Sequence, residues 1–264
     1  MNRVTQAFSR AKAEGRTAIM PYVTAGDPAE PGLGSVLRAL DGGGADVIEI
    51  GIPFSDPIAD GPVIASAMHR ALERGVTPAG VLTQIKAVRE DLGAALVAMV
   101  SVSIVTHLGP EQFVADAASA GIDGLIIPDA DLDEFTELST ACGSAGLALI
   151  PLIAPTTSAE RQESIVRHAT GFVYLLARAG VTGERSDAPE ISDRIDSLRR
   201  VTDLPIGVGF GISTSEHVEA IGRDADGAIV GSALVRALHD AHESGADVTR
   251  TAGDFVASLH PKAE

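Results

Sequence analysis

A glutamate in the middle of an apolar run is the first residue of this chain with an evident use in chemistry. The stretch "GADVIEIGIPFSDPIADGP", Gly44 to Pro62, sets Glu49 among Val47, Ile48 and Ile50, then follows it with Asp56 and Asp60 between prolines and glycines. An apolar wall raises a carboxyl pKa and lets the group hold or deliver a proton near neutrality, whereas a carboxylate in a wetter loop stays ionised. Glu49 is therefore the candidate acid/base and Asp60 its fixed-charge partner. The same spacing also fits a purely architectural use, with Glu49 paired to a buried arginine or backbone amide and the aspartates serving as turn formers.

The remaining inventory narrows the chemistry. Lys12, Lys86 and Lys262 are the only lysines and fall in expected helices or the tail, which argues against a Schiff base to a substrate or to pyridoxal phosphate. The histidines, His69, His107, His168, His217, His239, His242 and His260, lie outside the apolar segments with no zinc-like spacing, so no metal site is expected. A net charge of -16 without a Lys/Arg cluster or an aromatic series speaks against nucleic-acid and anionic-membrane partners. Cys142 is the single cysteine, which excludes an intrachain disulfide, and the N-terminal "MNRVTQAFSRAKAEGR" is charged and amphipathic without an apolar signal core. The longest nearly apolar stretch, Leu92 to Val105, falls short of the roughly 20 residues of a membrane helix. A cytoplasmic protein is expected.

Such residues need a frame to position them. Eight short apolar segments suit strands of a buried parallel sheet: Thr17 to Val23, "DVIEIG", Ala94 to Val100, Gly124 to Pro128, Leu147 to Ile153, Gly171 to Leu176, Leu204 to Phe210 and Gly227 to Gly231. Between them lie stretches of helical character, such as Ser35 to Gly44, Pro110 to Gly121, Ser158 to Ala169 and Ser213 to Gly222, most ending at glycine. "GADVIEIG", "GIDGLIIP" and "DADGAIVG" form a weak repeat, each an aspartate followed by a buried strand. With no linker to divide them, these units predict one (β/α)8 TIM barrel over residues 1–264 with an extra N-terminal helix. A doubly wound open sheet is the alternative, but the first strand is not followed by GxGxxG.

In such a barrel Glu49 lies near the C-terminal end of the second strand, on the face where barrel enzymes act. Site loops are then expected at about 51–62, 177–190, 209–213 and 231–235. "GVGFGIS" (Gly207 to Ser213) and "VGSALV" (Val230 to Val235) follow the seventh and eighth strands, where glycine backbones and helix N-termini can hold a phosphate without lysines. "ARAGVTGERSD" (Ala177 to Asp187) has the polar, glycine-bearing character of a lid. Taken singly, each glycine pair also reads as an ordinary turn.

These stretches resemble the α subunit family of tryptophan synthase, an indole-3-glycerol-phosphate lyase. The resemblance covers nearly the whole chain and is carried by "PYVTAGDP", "IEIGIPFSDPIADGP", "YLLARAGVTG", "GFGIS" and "GSALV". It implies cleavage of indole-3-glycerol phosphate to indole and glyceraldehyde 3-phosphate, with Glu49 protonating the leaving indole carbon and Asp60 holding the indole N–H. It further implies that Thr182 orients Asp60, that Tyr174 lines the pocket, and that Tyr22 and Phe210 border the substrate. Gly183, Gly209, Gly211, Gly231 and Ser232 would cradle the phosphate. Pro53 and Asp56 would serve subunit communication in an α2β2 heterotetramer, whose β subunit carries pyridoxal phosphate while this chain carries no cofactor.

Two departures from the family pattern stand out. Ser101 and Ser103 replace a usual Tyr and Asn, and "PDADLDE" (Pro128 to Glu134) replaces "PDLP", both in regions that lie toward the β subunit in the family. They leave two alternatives to the half-synthase open: a stand-alone lyase that releases free indole, and a mainly activating or binding subunit with weak catalysis.

Overall fold

The computed structural model of the chain describes residues 2–56, 61–177, 191–209 and 211–261. Its strands are β1 (Ala18–Thr24), β2 (Val47–Gly51), β3 (Ala95–Met99), β4 (Gly124–Ile126), β5 (Ala148–Ile150), β6 (Leu152–Ile153), β7 (Val173–Leu176), β8 (Ile206–Gly209) and β9 (Gly227–Val230). The helices are α1 (Arg3–Ala13), α2 (Leu33–Gly42), α3 (Pro62–Glu73), α4 (Pro78–Val88), α5 (Val102–Leu108), α6 (Pro110–Ala120), α7 (Leu132–Ala145), α8 (Ala159–Val166), α9 (Ser192–Arg199), α10 (Ser215–Ile221), α11 (Ser232–Glu243) and α12 (Val248–Leu259).

All pairings are parallel and the sheet runs β5-β4-β3-β2-β1-β9-β8-β7-β6. Its two ends, β5 and β6, flank Pro151, so the sheet closes on itself as a barrel. The fifth expected strand, Leu147 to Ile153, is therefore interrupted, because proline has no N–H to give to the ladder. Its carbonyl still accepts from the Tyr174 amide at 2.9 Å and carries the pairing across the break.

Side-chain parity sorts the strands into two cores. Ile19, Ile48, Ile50, Leu96, Ala98, Leu125, Val173, Leu175 and Val208 pack outward against the helices. Met20, Val47, Val97, Ile126, Ile150, Phe172 and Ile229 pack inward. The floor of that interior is closed by α1, whose Val4, Ala7, Phe8 and Ala11 recur at helical spacing and are all buried. Phe8 meets Phe172 with ring centroids 5.3 Å apart. Asn2 caps α1 by accepting from the Val4 amide, and its Nδ2 donates to the carbonyls of Asp123 and Gly146, both at 2.8 Å.

The repeat seen in the sequence has a physical basis at this floor. The Asp46 amide donates to the Ile19 carbonyl while its carboxylate accepts from the Ile19 amide, each at 2.9 Å. Asp123 does the same with Leu96, and Asp226 with Ile206. Arg16, Arg89 and Arg199 respectively supply the counter-charges. Thr170 takes the same place ahead of β7, bonding both backbone groups of Leu149. Four times around the barrel, a short polar side chain thus staples one strand to its predecessor.

Candidate active site

Glu49 is the third residue of β2, between the outward Ile48 and Ile50, and therefore turns into the barrel. It is 1% exposed and stands in register with Tyr22 of β1 and Val97 of β3. Two positions further along β2, Gly51 makes room for the Tyr22 ring: a Cβ there would overlap the phenol hydroxyl. That hydroxyl lies 3.4 Å from Thr24 Oγ1. Tyr22 packs with Ile64, Ala67 and Met68 of α3 and Val235 of α11, so one aromatic ring links the first strand to two helices at the mouth.

Tyr174 projects inward from β7 and is 9% exposed. Its ring crosses Gly209 at the end of β8 so closely that any Cβ on Gly209 would overlap it. The glycine is thus required by its neighbour. Gly209 accepts from the Ala177 amide at 3.1 Å and is in register with Leu176, joining the ends of β7 and β8. Gly211 is half-buried with φ +72°, a conformation that side-chain-bearing residues adopt rarely. Gly231 caps α11 without any side-chain hydrogen bond, and Ser232 is that helix's first residue. A helix start left open in this way presents backbone N–H groups and the positive end of the helix dipole to an anion.

Pro53 is buried and Asp56 exposed, with Ser55 Oγ donating to Asp56 Oδ2 at 2.7 Å. Asp60, Thr182, Gly183 and Phe210 lie outside the described residues.

Three features escaped the sequence reading. Met99, at the end of β3, belongs to both the barrel interior and the Tyr22 cluster, so it lines the mouth one inward step above Val97. Parity counted from Glu49 would have found it. Ser101 caps α5 and donates to Asp129 Oδ2 at 2.6 Å, while Asp129 Oδ1 accepts from the Val102 amide at 2.8 Å. The Ser101 departure thereby ties the end of β3 to the segment after β4. In "PDAD", Asp131 caps α7 in a reciprocal box: its carboxylate accepts from the Glu134 amide at 2.9 Å and Glu134 accepts from its amide at 2.8 Å. The carboxylates of Asp131 and Glu134 are thus engaged by the first turn of their own helix, while Asp133 beside them is exposed.

Comparison with known proteins places this geometry in context. The family model described as tryptophan synthase alpha chain matches residues 8–261. The tryptophan synthase alpha chain of Halorhodospira halophila is 44% identical over 261 residues, 98% of this chain and 95% of that protein. That of Chloroflexus aggregans is 46% identical over 240 residues, 90% of each. Among solved structures, Mycobacterium tuberculosis tryptophan synthase superposes with a TM-score of 0.88 at 35% identity, covering 98% of this chain and 96% of that one. The alpha subunit from Legionella pneumophila gives 0.87 at 35%, covering 98% and 97%.

Proposed function

The chain belongs to the tryptophan synthase alpha chain family, and on that premise we propose that its barrel mouth cleaves indole-3-glycerol phosphate to indole and glyceraldehyde 3-phosphate. The observation that carries this reading is Glu49, a carboxyl buried inside the barrel in register with Tyr22. A carboxyl buried in a barrel interior is suited to hold a proton near neutrality and release it on demand.

In this scheme Glu49 delivers its proton to the ring carbon that bears the side chain, giving an indolenine with an electron-poor ring. The side-chain hydroxyl next to that carbon loses its proton, and its oxygen electrons form the aldehyde carbonyl. The carbon–carbon bond breaks and its pair returns to the ring as indole. One proton enters and one leaves, so acid/base groups suffice without metal or imine. Asp60 would stabilise the ring N–H while positive charge develops, with Thr182 orienting it. Tyr22, Tyr174 and Phe210 would border the substrate. Gly183, Gly209, Gly211, Gly231 and Ser232 would hold the phosphate, and the open start of α11 supports their part in it.

Indole would pass to a β subunit carrying pyridoxal phosphate in an α2β2 assembly, with Pro53 and Asp56 at the contact. The capping box at Asp131 and Glu134 ties two of the added carboxylates into the first turn of α7, which is compatible with docking at this segment. The test is indole formation from indole-3-glycerol phosphate by the purified chain, alone and titrated with a β subunit. Slow turnover that rises on titration is expected. In Glu49→Gln, turnover should fall about 10²–10⁴-fold, the usual worth of a general acid, while a phosphate-bearing analogue still binds. Glu49-independent turnover would sink the assignment, and fast turnover indifferent to the partner would identify a stand-alone lyase.

A further inference from the structure

Arg194, in the first turn of α9, is a cation that the scheme above leaves unused. Its Nη1 donates to the carbonyls of Leu176 at 2.6 Å and Ala177 at 3.1 Å, where β7 ends. Its Nη2 is buried and has no hydrogen-bond partner among the described residues. Arg16, Arg70, Arg89 and Arg199 each face an aspartate, whereas among the described residues no carboxylate forms an ion pair with Arg194. Burial lowers the affinity of this guanidinium for its proton. Arginine nonetheless stays charged in proteins, so a fixed positive charge remains in the wall. Arg194 as a whole is half-buried, but a charge with a buried, unbonded Nη2 and no counter-ion among the described residues carries a desolvation cost, and such a group calls for an explanation.

Its position supplies one. Arg194 grips the backbone at Leu176 and Ala177, and these residues pair with Gly209, one of the glycines assigned to the phosphate cradle. The other assigned members of that cradle are glycines and a serine, none of which carries charge. A positive charge in a low-dielectric wall acts on an anion several ångströms away, where the same charge in water would be screened.

We propose that Arg194 is a positioning residue for the phosphate subsite: it holds the end of β7 against Gly209 and supplies the positive charge that the glycine cradle lacks. The assignment rests on reading the mouth as an indole-glycerol-phosphate site.

Three variants separate charge from tether. Arg194→Met removes both, Arg194→Gln keeps a donor for the carbonyls, and Arg194→Lys keeps the charge. Binding of glycerol 3-phosphate and of free indole is measured for each by calorimetry, together with KM and kcat for indole-3-glycerol phosphate. In Arg194→Met and Arg194→Gln, glycerol 3-phosphate affinity should fall about tenfold at low salt, with a matching rise in KM, while indole affinity and kcat hold. Lys should stay within about threefold of wild type. Undiminished glycerol 3-phosphate binding in Met, full recovery in Gln, or an equal loss of indole affinity would each overturn the proposal. Thermal melts establish folding, and if Met does not fold, the Gln and Lys pair carries the same test. Wild-type protein that cleaves indole-3-glycerol phosphate while the variants bind normally would count against Arg194 alone. A wild type that neither cleaves it nor binds glycerol 3-phosphate would overturn the reading of the mouth and the Arg194 assignment with it.

Discussion

The hydroxyl and ring of Tyr174 fill the space that a Cβ on Gly209 would need, and this contact is a sharp constraint on a single residue. Gly209→Ala would drive a methyl group into the phenol ring, and overpacking of this kind costs about 1–3 kcal/mol. The variant should melt at lower temperature and lose about tenfold in kcat/KM, because Tyr174 must leave the position it holds in the barrel. Steady-state kinetics with a thermal melt would check both, and unchanged kinetics would place the tyrosine away from substrate. The burial of Glu49 was legible from sequence because it sits in an apolar strand, whereas its use as an acid/base stood beside an architectural reading. That of Arg194 was not legible, since a lone arginine in a helix reads as a solvated side chain until the fold buries its Nη2.

Asp131 and Asp123 act on whole elements. The capping box fixes the first turn of α7, and Asp131→Ala should cost about 1 kcal/mol, read as a lower denaturation midpoint with an unchanged slope. Asp123 staples β4 to β3, and burial pushes its carboxyl above the ordinary value of 3.8 despite the neighbouring Arg89. A carboxyl whose pKa is raised on folding binds its proton more tightly in the folded state. Its stabilising contribution is therefore complete below the unfolded value and is lost as pH rises through the folded one. Relative to Asp123→Asn, the wild type should accordingly gain stability as pH is lowered toward 3.8, and melts across that window would show it. A constant difference would mean that the raised pKa plays no part. The repeat that contains Asp123 was visible as three aspartates before strands. Their staples were not, nor was Thr170 as a fourth member, because that identity lies in a hydrogen-bond position and not in a residue type.

The whole barrel depends on a floor that no strand provides. Phe8 of α1 fills it against Phe172, so Phe8→Ala should cost about 3–5 kcal/mol and weaken the molecule far from its mouth, as chemical denaturation would register. A loss below about 1 kcal/mol would show that the floor collapses to fill the space. The sequence by itself determined the alternating strands and helices, the parallel barrel, the catalytic glutamate as a candidate and the glycine-rich loops, because each is written in local periodicity or in residue types with few alternative uses. Tertiary structure alone decided that Pro151 divides the fifth strand, that Gly51 and Gly209 make room for Tyr22 and Tyr174, that Ser101 and Asp131 cap helices, and that Arg194 lies at the end of β7 without a counter-charge among the described residues. Each of these depends on which residues distant in sequence come to share a few ångströms, and closure of the barrel sets that proximity in a way local pattern does not encode.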